Sequence, residues 1–190
     1  MSTIVVVKKA GMASIAADSL VSCGDLRLTP VYNAAFDKIQ VHGDSLFGIV
    51  GSAAHELVMD SILRQEEVTV DFSNRIAIFE TFRQFHPVLK EKYFLNAKDE
   101  EEDPYEASHI DALIANPNGI FGIYSLREVV EYERFWAIGS GAEYAMGAMF
   151  AVYDRFESAE DIARVGVEAG AEFNNATALP LTQHTIKLKQ

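Results

Sequence analysis

The chain has 190 residues, 49% of them hydrophobic and 23% charged, which is the balance of one globular domain, or at most two small ones, and not of a disordered chain. With 16 basic and 28 acidic residues the net charge is −12, which argues against nucleic acid and anionic membrane as partners. No apolar run is long enough to span a bilayer, no basic leader precedes the first apolar stretch, and the single Cys23 rules out an internal disulfide, so a cytoplasmic protein is expected.

Thr3-Ile4-Val5-Val6-Val7 is a dense β-branched run, so the chain enters a strand almost at once. Lys8 to Gly11 reads as a tight turn and Ala13 to Asp18 as the returning strand. Most termini fray; this one is predicted to be tied into a sheet, which holds residues 1 and 2 at the end of a rigid element. Residues 20 to 37 are turn-rich. Lys38 to His42 and Ser45 to Val50 follow as short strands joined at Gly43-Asp44. After Gly51-Ser52 the period changes, and Leu57, Val58, Ser61 and Ile62 repeat at helical spacing. Ser73 is the predicted cap of a second helix carrying Ile76, Ala77, Phe79, Glu80 and Arg83, which Pro87 kinks or ends.

Residues 99–106 hold six acids, Asp99 to Asp103 and Glu106, and read as a solvated loop. Ile110 to Ala115 and Ile120 to Tyr124 form a predicted hairpin around Asn116-Pro117-Asn118-Gly119, and Val129 to Ile138 supplies one or two further strands. Gly139-Ser140-Gly141 opens a helix rich in small residues (Ala142, Ala145, Gly147, Ala148, Ala151). Ser158-Ala159-Glu160-Asp161 resembles a capping box with Asp in place of Glu, and Ile162, Val165, Ala169 and Phe173 mark one face of the helix behind it. Thr182 to Leu188 is the last strand. The chain shows no repeat, linker or composition break, so 1–190 is read as one domain with helices packed outside stacked sheets.

The common metal and nucleotide signals are missing. His42, His55, His86, His109 and His184 are scattered, with no HExxH pattern; there is no Walker A sequence and no GxSxG elbow. Gly139-Ser140-Gly141 does not extend to GxGxxG. What remains is the N-terminus. Ser2 is small enough to permit removal of Met1, which would leave an α-amine and a hydroxyl on one residue. Such an amine has an unperturbed pKa of about 7.7–8.0, close to the pH at which a general base works best. Nucleophile and base then share a residue.

Five segments, in order along nearly the whole chain, resemble known sequences. Ala16-Ala17-Asp18-Ser19 is similar to a signature of proteasome β-type subunits, Lys38 in Phe36-Asp37-Lys38-Ile39 to the lysine of that family, and Gly51-Ser52-Ala53-Ala54 to its turn into the first helix. Ser2-Thr3-Ile4-Val5 and Ala137-Ile138-Gly139-Ser140-Gly141-Ala142 resemble the bacterial peptidase HslV. The chain therefore resembles a bacterial proteasome-like N-terminal-nucleophile hydrolase, closer to HslV and to the bacterial proteasome homologues related to HslV and Anbu than to the proteasome proper.

The resemblance implies an α+β fold, a four-layer αββα sandwich, and a threonine-peptidase-like activity with serine as nucleophile. Ser2 would attack the scissile carbonyl and its amine would shuttle the proton. Lys38 would favour the developing alkoxide, Asp18 would orient Lys38, the Gly51 N–H would serve as oxyanion donor, and Ser140 would hydrogen-bond near the amine. Ile49 and Ala53 would line a specificity pocket and Ser22 would hold substrate backbone. Ala171, Asn174 and Thr177 match a loop whose backbone binds sodium or magnesium in relatives; no cofactor is implied for the chemistry. The implied partners are identical subunits in a double ring of twelve or fourteen, an AAA+ unfoldase, and a peptide or unfolded substrate cleaved inside the ring. The alternatives are an inactive ring-forming scaffold of the same fold and, third, an amidase outside any ring. Three features depart from the family: Ser2 replaces threonine, whose methyl restricts χ1, the Asp18-to-Lys38 stretch is long, and the acidic 99–106 segment is an extension relative to HslV.

Overall fold

The computed structural model describes residues 2–65, 69–97 and 105–189, with the side chains of Cys23 and Ala53 outside that description. Met1 and the acidic run Asp99–Asp103 also lie outside the described residues.

β1 (Thr3–Lys9) and β2 (Met12–Asp18) form the predicted N-terminal hairpin, turning at Ala10-Gly11. They occupy the middle of a four-stranded sheet whose edges are β10 (Phe135–Gly139) and β11 (Leu181–Lys187). A second, five-stranded sheet runs in the order β5 (Ile39–His42), β6 (Ser45–Val50), β7 (Asp111–Asn116), β8 (Gly119–Ile123), β9 (Val129–Tyr132). Neighbouring strands in both sheets pair antiparallel. Helices α1 (Ala53–Leu63) and α2 (Arg75–Lys92) follow β6, and α3 (Ala142–Val152) and α4 (Ala159–Phe173) follow β10.

Strand alternation sorts the side chains into three apolar layers. From β1, Ile4 and Val6 point into the space between the sheets, where they meet Leu46, Leu113, Ala115 and Ile120. Val5 and Val7 point the other way, onto Ala145 and Met149 of α3 and Ile162 and Val167 of α4. From β6, Phe47 and Ile49 pack on Met59 and Ile62 of α1 and on Phe82 and Phe85 of α2. The result is the αββα sandwich. Strands buried on both faces read as continuous apolar runs, which is why Thr3–Val7 shows no polar alternation. Glycine permits the close approach of the layers: a Cβ on Gly48 would lie 2.9 Å from Ile4 Cγ2 and one on Gly166 would lie 2.9 Å from Met149 Cγ.

Three local expectations are corrected. The turn-rich 20–37 stretch contains a small hairpin, β3 (Val21–Cys23) with β4 (Leu26–Leu28). The cap of α2 is Asn74, whose side chain accepts from the N–H groups of Ile76 and Ala77, and not Ser73. Pro87 does not end α2, which continues to Lys92. Pro87 and Arg83, whose carbonyl would meet the missing N–H, are both exposed to water, while Phe85 and Leu89 are buried on the opposite side and hold the helix down. Ser158 caps α4 as expected, accepting from Asp161 N–H. Glu106, the described member of the acidic stretch, is not merely solvated: it bonds Lys90 and His86 of α2, and these hydrogen bonds, that of Lys90 first, hold its carboxyl below the usual glutamate range.

Candidate active site

The register of β1 fixes the N-terminal residue. Thr3 pairs with Gly139 of β10, and the Ser2 carbonyl accepts from Gly141 N–H (3.4 Å), with Ser140 Oγ 3.5 Å away. Gly139 lies so close that a Cβ there would sit 2.1 Å from the Ser2 carbonyl oxygen, and its φ of +93° is one that glycine adopts without strain. Gly141 and Gly170 leave room for the Thr3 side chain in the same way. Ser2 itself is 7% exposed. The strand end is thus held by the Gly139–Gly141 turn and by the close approach of Gly170 to Thr3.

Asp18, at the end of β2, is fully buried. Its Oδ1 accepts from Thr3 N–H (2.9 Å) and Lys38 Nζ (2.8 Å). Its Oδ2 accepts from Leu20 N–H (3.0 Å) and Ala178 N–H (3.2 Å). The Lys38 ammonium also donates to the Leu20 carbonyl at 2.7 Å. Burial pushes Lys38 below the ordinary lysine range, and the charge and hydrogen bond of Asp18, with the more distant Glu56, oppose that shift. The β3–β4 hairpin occupies the long stretch between Asp18 and Lys38, so the extra residues loop outward and leave the pair in contact.

Ser2, Leu20, Val21, Ser22, Lys38, Ile49, Gly51, Ser52 and Glu56 line one cleft of about 250 Å³. Gly51 stands between β6 and α1 with φ +115°; an added Cβ would meet nothing nearer than His55 Nδ1 at 3.8 Å, so backbone conformation and not space is what calls for glycine. Ser52 caps α1 by accepting from Ala54 N–H. Ile49 belongs to the core under α1 as well as to the cleft wall. Ala53 begins α1, with its side chain outside the described residues.

The other expected residues lie on the β10 side. Ser140 Oγ donates to Asn174 Oδ1 (3.1 Å), and Asn174 Nδ2 donates back to the Ser140 carbonyl (2.8 Å), so Asn174 ties the end of α4 to the turn that holds Ser2. Thr177 is buried, and its hydroxyl donates to the Gly170 carbonyl (2.6 Å), with the Asn174 carbonyl 3.2 Å from the same oxygen. Ala171, Asn174 and Thr177 surround the C-terminal end of α4, where unpaired carbonyls carry partial negative charge. Backbone oxygens at such an end are the hard ligands that sodium or magnesium takes. Among the described residues no group of three or more His, Cys, Asp or Glu side chains is placed to hold a metal.

Sequence reasoning missed Glu56, the Ala178 N–H and the Leu20 carbonyl. Nothing local marks them: Glu56 reads as a solvated position on a short helix, and a backbone group bonded 160 residues away in sequence leaves no pattern.

The fold is that of the proteasome-type N-terminal-nucleophile hydrolases. HslV from Trypanosoma brucei superposes with a TM-score of 0.71 at 18% identity, over 97% of this chain and 99% of that one, which bears on the fold alone. The bacterial proteasome homologue BPH from Thiobacillus denitrificans superposes with a TM-score of 0.91 at 38% identity, over 99% of this chain and 100% of that one in a complex with epoxomicin, and over 98% of each without it. The chain belongs to the bacterial proteasome homologue family. No protein-family model matches it. Among the described residues no helix is long and apolar enough to cross a membrane.

Proposed function

We propose that the chain is an N-terminal-nucleophile peptidase whose nucleophile is Ser2 after removal of Met1. The observation that carries this reading is Asp18, one fully buried carboxylate that ties the Thr3 N–H and the Lys38 ammonium together at the cleft Ser2 lines. Ser2 Oγ attacks the scissile carbonyl carbon while its proton passes to the Ser2 α-amine. The carbonyl oxygen takes up negative charge facing the Gly51 N–H, and the Lys38 ammonium stabilises the alkoxide side of the reaction. The amine then hands the proton to the leaving nitrogen as the C–N bond breaks, which leaves an acyl ester on Ser2. Water, deprotonated by the same amine, cleaves that ester and restores Ser2. Lys38 stays cationic throughout, held by Asp18 and the Leu20 carbonyl.

Ser22 and Ile49, with Ala53 beside them at the start of α1, serve substrate binding. Carbonyls of Ala171, Asn174 and Thr177 would hold a sodium or magnesium ion that braces the end of α4 without entering the reaction. Identical subunits assemble into a double ring, fed by an AAA+ unfoldase with unfolded chains. The TM-score of 0.91 to a bacterial proteasome homologue supports the proteasome-type fold from which these readings start.

The test is Ser2→Ala. It should abolish peptide hydrolysis while the native mass stays that of the wild-type assembly, and epoxomicin, which the Thiobacillus protein binds, should compete with hydrolysis by the wild type. Undiminished turnover by purified Ser2→Ala protein would overturn the assignment. A wild type that assembles, retains Met1 and cleaves nothing would be the inactive scaffold.

A further inference from the structure

Among the described residues, Glu56 is the one acidic side chain on the wall of the Ser2 cleft. It lies in the first turn of α1, half-buried, and its backbone carbonyl is fixed by Gln40 Nε2 at 3.0 Å. Its carboxylate makes no hydrogen bond or ion pair among the described residues. The ordinary duties of an acid at this place are taken by others. Ser52 caps the helix, and the position from which a Glu would reach back to the cap is that of His55. Lys38 is committed to Asp18 and the Leu20 carbonyl. Asp60, one turn on, is paired with Arg64, and Asp37 accepts from Thr182 Oγ1 and Ile39 N–H. Burial raises the Glu56 carboxyl above the ordinary glutamate range; Lys38 opposes that shift, and Asp37 and Asp60 add to it. An unpartnered, half-buried carboxylate lowers stability unless something pairs with it.

We propose that Glu56 selects substrate: it receives the cationic head of a lysine or arginine on the acyl side of the scissile bond. Val21 and Ile49 flank the cleft and supply apolar wall for the methylene stem, while Glu56 supplies the counter-charge, the division that long basic side chains use elsewhere. A charge-assisted hydrogen bond made in such a site is worth about tenfold to a hundredfold in discrimination. The substrate class is therefore peptides with a basic residue before the cleaved bond. This inference rests on the peptidase reading.

The test uses the assembled protein and three fluorogenic tetrapeptides that differ only in the acyl-side residue: arginine, norleucine or glutamate. The wild type should show kcat/KM for arginine about tenfold to a hundredfold above norleucine, with glutamate lowest. In Glu56→Gln that ratio should collapse towards one, and in Glu56→Lys the glutamate peptide should overtake arginine. An unchanged arginine-to-norleucine ratio in Glu56→Gln would overturn the inference. So would equal losses on all three peptides, which would mean that the carboxylate acts only through Lys38. The same ranking read as binding in the Ser2→Ala protein, by fluorescence anisotropy of the three peptides, separates the two readings. Preferential binding of arginine that depends on Glu56, with no turnover by the wild type, would sink the peptidase and keep the recognition. Turnover with no Glu56-dependent preference would do the reverse.

Discussion

Asp18→Asn is the substitution that most directly probes how the N-terminus is held. Both carboxylate oxygens of Asp18 accept two bonds: Oδ1 from Thr3 N–H and Lys38 Nζ, Oδ2 from Leu20 N–H and Ala178 N–H. Asparagine keeps one acceptor and replaces the other with a donor. Whichever way the amide turns, two donors are left facing an NH2 group with no water to take them, since the site is fully buried. Each donor left unsatisfied costs about 1–3 kcal/mol, so the pair costs roughly 2–6 kcal/mol. Lys38→Met removes a different part. Asp18 then keeps three N–H donors, which moderates the usual penalty for stranding a buried charge to roughly 2–4 kcal/mol. Against a total stability of about 5–15 kcal/mol for an ordinary domain, both losses are measurable. Urea unfolding at fixed protein concentration should therefore rank wild type above Lys38→Met above Asp18→Asn, with similar m-values. Loss of less than about 1 kcal/mol in Asp18→Asn would refute the bonding scheme. A larger loss for Lys38→Met than for Asp18→Asn would contradict that ranking.

Two further outcomes follow from the same geometry. Gly139→Ala should abolish hydrolysis and lower Tm, because its Cβ would fall 2.1 Å from the Ser2 carbonyl at a φ of +93°, whereas Gly147→Ala in α3, with nothing within 4 Å, should keep activity and gain about 0.5–1 kcal/mol of helix stability; equal Tm values for the two variants would contradict this. Because the folded-state pKa of Glu56 is raised, its favourable contribution is complete below the ordinary glutamate pKa and is lost as pH rises through the raised value, so Glu56→Gln should match wild-type Tm near pH 4 and exceed it at neutral pH; a Tm difference independent of pH would show that the carboxyl is not desolvated.

The elements were legible because each is written in local physics. Thr3–Val7 is a strand in any context that buries it, and the small residues from Gly139 to Ala151 and the Ser158 cap announce α3 and α4. Ser2, Asp18, Lys38 and Gly51 were legible for a different reason, the resemblance of short segments to a known family; the structure brings all four to one cleft or its floor. The errors were also local. Asn74 and Ser73 are equally good caps by composition, and only the path of the chain into α2 decides which side chain reaches the free N–H groups. Pro87 breaks helices by rule, but the buried Phe82, Phe85 and Leu89 anchor this one on both sides of it.

What tertiary structure alone decided is which groups meet. Asp18 is joined to Lys38 across 20 residues and to the Ala178 N–H across 160, and neither distance has a periodic signature. Glu56 faces the cleft because α1 packs through Met59 and Ile62 onto Phe47, which sets the rotation of the helix and turns its first acidic side chain towards Lys38. A sequence records the propensity of each residue and the period of each segment. The rotation of a helix on a sheet, and so the company its polar side chains keep, is set by close packing between segments far apart in the chain.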